Sequence, residues 1–428
     1  MSKNSHDEEK EFESLIRGLE KANIKFYKFS MLVLYPGGPW MYYNYIILFV
    51  FEIVSAYFLI TGVITIYLQK NDIFVTFEVA NAFLIFFAVF VSIADFHGTG
   101  RKRRLWGKLF VYFEDECQDY DSELIKKEKK RLRMVCRTNM KWFFIFSTPC
   151  IFSNIFFIFV VIPIIRFMIG EEQTSSDTAY NVYLPMPFWS VFNTRTFLGF
   201  SIQYMLMLFM VCDIFAMFLV YVSSVFYFFM EIIIQLKILS FALSKHDERV
   251  MTLSEANAKA TELDECVDSG DNLKTKILKE PIIHHLKIRE FFNMFQEFSS
   301  FFFGLVISVN MLVIVSLSVI ITKMDSLLTL EGLKFCSVLI LEILHMFCFT
   351  YCGSALIEES QNVRKSLYNI HWYNFNSNQK KIVNIFQMQT AAKFLLTASG
   401  IYGINLNTFL QVMQTAYSII NVLSNMKT

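Results

Sequence analysis

The chain has 428 residues, of which 54% are hydrophobic and only 18% charged, and its mean hydropathy is +0.42. This balance excludes an ordinary soluble domain and describes an integral membrane protein. Thirty-nine Lys and Arg stand against 38 Asp and Glu, a net charge of +1, so partners are read from where the cations lie rather than from their sum.

The first 42 residues, opening "MSKNSHDEEKEFESLIRGLEKANIK", have no apolar core behind a basic start, so no cleaved signal peptide is expected and this segment is placed in the cytoplasm. Beyond it, seven stretches reach the roughly 20 mainly apolar residues that a spanning helix needs. They run over 43–68, 73–96, 142–168, 198–232, 292–322, 333–357 and 404–425. Short links at 69–72 and 323–332 and a middle-sized link at 169–197 alternate with long charged segments at 97–141, 233–291 and 358–403. Residues 1–42 and those three segments hold 33 of the 39 Lys and Arg, led by "RKRRLWGK" at 101–108 and "KKEKKRLR" at 126–133. The positive-inside rule puts all four in the cytoplasm, and seven crossings put the C-terminus outside. The expected fold is an all-α membrane protein with seven transmembrane helices, N-terminus cytoplasmic and C-terminus extracellular. Within 358–403, "KKIVNIFQMQTAAKFLLTASG" reads as one further helix, apolar at Ile382, Ile385, Phe386, Met388, Ala392 and Leu395.

This topology separates classes of membrane protein. A G-protein-coupled receptor has its N-terminus outside, against this charge distribution, and the last span here has no Asn-Pro-x-x-Tyr. Secondary transporters show paired halves and helices broken near the midplane; seven is odd, and the last span has no Pro. The cysteines fall in spans or in cytoplasmic segments and none lies in 169–197, so no disulfide framework is expected. Cys348 and Cys352 share a helical face without ligand-spaced partners and read as packing, not metal. His284 and His285, beside Pro281, read as a solvated helix start. No HExxH, P-loop, GxSxG or Gly-rich dinucleotide loop is present, so no catalytic residue, cofactor or metal is assigned. The basic clusters are explained by orientation and membrane lipid, without nucleic acid. Glu78, Asp213 and Glu342 are ionisable residues inside spans and hence functional candidates.

The last span, "GINLNTFLQVMQTAYSIINVLSNMKT", carries Asn407, Gln411, Gln414, Ser418, Asn421 and Asn425 at spacings of three and four. At 3.6 residues per turn these form one polar, uncharged stripe, opposite Phe409, Met413, Ala416 and Ile420. Such a stripe either lines water or makes interhelical hydrogen bonds. The span has no Asp or Glu, so these residues build no acidic selectivity ring.

The C-terminal quarter resembles the signature region of insect odorant receptors. The marks are Gly353, Glu359-Ser360, Tyr368, Trp372-Tyr373, Thr397-Ala398-Ser399-Gly400, Thr408-Phe409 and Tyr417-Ser418, in that family's order, with a weaker echo in "YLPMPFW" before the fourth span. The resemblance implies a non-selective cation channel gated by a small volatile odorant, a heterotetramer in which an odour-binding subunit sits beside a co-receptor in the plasma membrane of olfactory neurons. It implies that the seventh spans meet at a central pore lined by Gln411, Gln414, Ser418, Asn421 and Asn425. Val422 aligns with a hydrophobic gate; ordinary packing of Val422 is the alternative. The segment 358–403 becomes a cytoplasmic anchor in which Tyr368, Trp372 and Tyr373 pack. The odorant pocket is implied in the outer halves of the second, third, fourth and sixth spans, where helical faces offer Phe77, Asn81, Asn154, Phe157, Val161, Gln203, Tyr204, Met207, Cys336, Leu339 and Ile340. Phe and Met suit a volatile, and Asn81, Asn154 or Gln203 an orienting contact. The competing reading is a seven-span receptor or carrier without its own pore.

Overall fold

Apolar runs of this length satisfy their backbone in lipid only as helices, because each N–H then bonds within its own segment. In the computed structural model, residues 41–98, 101–115, 120, 122–169, 181, 183–217, 221–261, 270–324 and 326–425 are described, and almost all of them are helical. The N-terminal segment up to residue 40 lies outside them. The elements in chain order are α1 (Met41–Leu68), α2 (Ile73–Gly98), α3 (Arg101–Asp115), α4 (Glu123–Phe156), a π-helical turn (Phe157–Val161), α5 (Ile162–Ile169), α6 (Phe197–Met217), α7 (Ser223–Ser244), α8 (His246–Thr261), α9 (Gly270–Lys323), α10 (Leu330–Tyr368), a 3-10 turn (Trp372–Asn374), α11 (Ser377–Thr390), strands β1 (Thr397–Ala398) and β2 (Tyr402–Gly403), and α12 (Leu406–Asn425). Among the described residues six helices are long and apolar enough to cross a membrane by length and composition. The seventh crossing is α12, whose 20 residues are diluted by the amide stripe.

The helices outrun the expected spans. α4, the π turn and α5 make one helical run of 47 residues, α9 has 54 and α10 has 39. The described residues of segment 233–291 are almost all helical. The segment holds the end of α7, α8 and the start of α9, with Pro281 inside α9. The expectation for His284 and His285 is overturned, since both rings are buried. Tyr120 Oη meets His284 Nδ1 at 2.8 Å, and Nε2 lies 3.0 Å from Gln235 Oε1, whose own amide donates to Glu231 at 2.8 Å. Local charge marked these two histidines as wet; Gln235 of α7 against His284, and Phe386 and Phe394 against His285, bury them.

The largest core lies where α7, α9 and α10 meet, around Phe228, Phe229, Phe291, Phe295, Phe298 and Phe303. α4 adds Ile125, Leu132, Cys136 and Met140 against Ile234, Ile238 and Ala242 of α7. At the opposite end, Arg166 of α5 pairs with Glu331, and Lys334 with Glu78 of α2 and with Glu331. These buried charges are held by partners, as burial demands. Glu342 accepts a hydrogen bond from the Asn310 amide at 3.0 Å. The Asp213 side chain lies outside the described residues.

The segment after α10 departs from the expected single helix. α11 ends at Thr390, so Ala392 and Leu395 fall beyond it. The Arg289 guanidinium donates to Ala392 O at 2.7 Å and stacks on Phe394, 3.8 Å from its centroid, drawing the chain out of the helix. A hairpin follows, with Thr397 opposite Gly403 and Ala398 opposite Tyr402. Its turn is left-handed at Ser399 (φ 51°) and Gly400 (φ 72°), the primed geometry that two-stranded ribbons favour.

The hairpin is bolted to two helices. On α9, Gln296 donates to Thr397 O at 2.8 Å and accepts from Thr397 N at 2.9 Å, and Ser399 N donates to Ser300 O at 3.0 Å. One turn on, Gly304 leaves room for the Ser399 hydroxyl; on α10, Gly353 leaves room for the carbonyl of Ile404. Ser354 Oγ accepts from Leu406 N at 2.8 Å and starts α12. Gly353→Ala places a methyl group on a backbone oxygen, which cannot rotate away, and we expect loss of surface expression through an overpacking cost of about 1–3 kcal/mol. Gly304→Ala meets a side chain instead, so Ser399→Gly is expected to rescue Gly304→Ala and not Gly353→Ala; surface biotinylation checks both.

His246, at the start of α8, packs on Phe375 with centroids 5.4 Å apart and sits 3.2 Å from Asp247, whose other oxygen meets His371. Burial holds the imidazole below the ordinary histidine value of 6.5. The unfolded chain then takes up a proton below that pH that the folded chain refuses, so stability is present above 6.5 and declines as pH falls below it. Melting temperature in detergent should drop between about pH 7.5 and 5.5, and His246→Asn should flatten part of that slope.

Candidate functional site

Two features are built on this frame. The first is a packed apolar cluster, the candidate ligand chamber, between α1, α2, the α4–α5 run and α6. Its closure begins with Pro163, which has no N–H for the carbonyl of Phe159. The helix widens there into the π turn, and Tyr204 of α6 donates its hydroxyl to Phe159 O at 2.5 Å. The two helices are thereby fixed around Phe58, Phe86, Ile158, Phe159, Phe188, Met207 and Met210. Phe58, Phe86 and Phe188 form a triangle with centroids 5.4–5.8 Å apart. Phe188 comes from the segment before α6, tied down by Trp189 N donating to Thr65 Oγ1 at 2.7 Å and facing Gly62 of α1.

The polar centre of this chamber is Gln203, fully buried. Its Oε1 accepts from Tyr57 Oη at 2.7 Å and from Ser190 Oγ at 3.0 Å, while its Nε2 is buried without a partner. Asn81 of α2 is similar: Ser316 of α9 donates to its Oδ1, and Nδ2 has no partner. A buried unpaired donor costs about 1–3 kcal/mol.

The residues picked from helical faces distribute unevenly. Phe157, Tyr204 and Met207 join the chamber, with Gln203 beside them. Phe77 and Leu339 pack in the adjoining cluster of Val309, Val313, Leu317, Ile320 and Phe335, and Asn81 bridges toward it through Ser316. Asn154, Val161 and Cys336 are half-buried, and Ile340 is exposed on the outer face of α10. The helical-face reading omitted Tyr57, Phe58 and Ser190, and left Phe188 as a motif echo only. α1 is apolar on most sides, so periodicity did not single out its inner face; its hydroxyls at Ser55, Tyr57, Thr61 and Thr65 were the available signal.

The second feature is the outer face of α12. Val412 and Ala416 are buried, and Phe409 and Met413 pack on the main core. On the other side, Asn407, Gln411, Gln414, Ser418 and Asn421 are all exposed, together with Val422 at 59%. The side chain of Asn425 lies outside the described residues. Asn405 caps the helix, its Oδ1 accepting from Thr408 N at 3.1 Å. Of the aromatics after α10, Trp372 packs half-buried on the core, whereas Tyr368 and Tyr373 are exposed.

Known proteins match this chain at three levels. Residues 77–417 match the family model described as 7tm Odorant receptor. The odorant receptor coreceptor of Aedes aegypti is 28% identical over 106 residues, which is 25% of this chain and 22% of that protein. Odorant receptor 33b of Drosophila melanogaster is 26% identical over 100 residues, 23% of this chain and 25% of that protein. The aligned stretches thus span under a third of either relative. The olfactory receptor OR5 of Machilis hrabei, in complex with eugenol, superposes with a TM-score of 0.71 at 13% identity over 88% of each chain. A second structure of the same Machilis receptor gives a TM-score of 0.67 at 13% identity, over 89% of this chain and 88% of that one. The structural likeness establishes the fold, and the match over most of its length establishes that this chain belongs to the 7tm odorant receptor family.

Proposed function

We propose that this chain is the odour-binding subunit of a ligand-gated, non-selective cation channel, taking a small volatile into the α1–α2–α5–α6 chamber and opening a pore lined by α12. The observation that carries the reading is the orientation of α12. Its apolar side packs on its own subunit, and its amide stripe points away from it. Turned to lipid, each amide would lose its water without a partner, at a cost of several kcal/mol. Turned to a shared axis in a tetramer, the stripe is satisfied by water and ions. The relatives named odorant receptor coreceptor support a co-receptor as the neighbouring subunit, and the eugenol complex of the Machilis protein supports a volatile as ligand. On this reading Gln411, Gln414, Ser418, Asn421 and Asn425 line the path, Val422 forms its hydrophobic constriction, and exposed Tyr368 and Tyr373 meet a neighbouring subunit in the anchor. The chain resides in the plasma membrane of olfactory sensory neurons, N-terminus inside.

A cysteine scan from 407 to 425 with a water-soluble thiol reagent tests the pore. Block of odorant-evoked current at 411, 414, 418, 421 and 425, with 412 and 416 silent, is the expected pattern; a flat profile or one centred on 412 and 416 rejects it. Val422→Ala should raise current in the absence of odorant, because a wider, less apolar neck wets more easily. The effect is diluted where the co-receptor supplies most of the ring, so covalently linked subunits of fixed stoichiometry give the cleaner comparison.

A further inference from the structure

The chamber's polar centre reads as a chemical selector. We propose that Gln203 Nε2 donates a hydrogen bond to the bound odorant, and that this receptor therefore takes uncharged volatiles carrying a carbonyl or ether oxygen in preference to hydrocarbons of the same shape. The inference rests on the channel-subunit reading and adds the ligand class.

The orientation of the amide is set by its neighbours. Ser190 Oγ accepts from Phe192 N at 3.1 Å, which commits the hydroxyl's own hydrogen to Gln203 Oε1. Tyr57 Oη supplies a second hydrogen to the same oxygen at 2.7 Å. With Oε1 held by two donors, one on α1 and one in the segment before α6, the NH2 group is turned away from both and left as a buried donor without acceptor. It sits one helical turn from Met207 and beside Tyr204, both part of the apolar cluster that holds the aromatic triangle. A donor fixed among apolar walls recognises one kind of group, a neutral acceptor on an otherwise apolar ligand. It rejects the analogue lacking that acceptor, because the donor is then left unpaired. A carboxylate is disfavoured by the cost of stripping its water among such walls.

The test uses the full chain expressed with an odorant receptor co-receptor, current recording, and matched pairs in which oxygen is replaced by carbon. 2-Heptanone is paired with 2-methyl-1-heptene, anisole with ethylbenzene, and shorter and longer homologues are treated likewise. In the unaltered chain the oxygenated members should be the activators, with half-maximal concentrations about tenfold or more below their hydrocarbon partners. Gln203→Leu should erase that gap by weakening the oxygenated members alone, leaving hydrocarbons unchanged or improved. Tyr57→Phe and Ser190→Ala, which release the amide without changing the packing volume much, should narrow the gap at normal surface expression; they decide the matter if Gln203→Leu fails to reach the surface. Equal potency within pairs in the unaltered chain, or equal loss for both members in the variants, would overturn the proposal while leaving the channel reading intact. If no pair evokes current although the chain is at the surface, the channel reading falls, and thermal protection of the detergent-solubilised complex by each pair, expected for the oxygenated member only, still decides the donor.

Discussion

The docking of the Thr397–Gly403 hairpin onto α9 and α10 is the contact on which the functional geometry depends. α12 begins three residues after the second strand, so its position and rotation are inherited from that hairpin. Gln296, Ser300 and Gly304 stand four residues apart on α9, one face presenting in turn an amide, a carbonyl and a space to the ribbon. Gly353 and Ser354 do the same on α10. Any rotation of α12 that turns its stripe or Val422 must move this ribbon against helices that allow no Cβ at two points.

The same two helices reach both features. α9 carries Ser316, which holds Asn81 beside the chamber, and α10 carries Lys334, which pairs with Glu78 of α2 near its rim. Both helices run unbroken from these residues to the hairpin contacts at Gln296–Gly304 and at Gly353 and Ser354. On the proposed reading, a ligand that changes the packing of α2 or α6 acts on rods that grip the base of α12 about five turns away. Coupling of this kind needs no separate relay, only helices stiff over several turns and a chamber whose contents favour one packing over another.

The chamber itself combines rigidity with incompleteness. Aromatic edges, the Tyr204–Phe159 bond across the π turn and the Trp189–Thr65 bond hold its walls. Against that order, two buried amide donors stay unpaired. Cores of this packing rarely leave such groups unused, which is why the proposed ligand contact is placed at one of them.

The sequence alone determined the class, the all-α membrane fold, the family and the periodic stripe of α12, because each is written in properties that survive without neighbours: length, hydropathy, motif order and helical spacing. Phe157, Gln203, Tyr204 and Met207 could be picked as polar or bulky residues on helical faces, and the structure brings them to one apolar cluster. The tertiary structure decided the rest. That Ile340 faces outward, that Tyr57, Phe58 and Ser190 of other elements close the chamber, and that His284 and His285 are dry all depend on which helix lies alongside, and α1 and α10 are too uniformly apolar or too mixed for periodicity to show it. The end of α11 at Thr390 is likewise set from a distance, by an Arg289 bond to Ala392 that spans 103 positions and that no local propensity encodes.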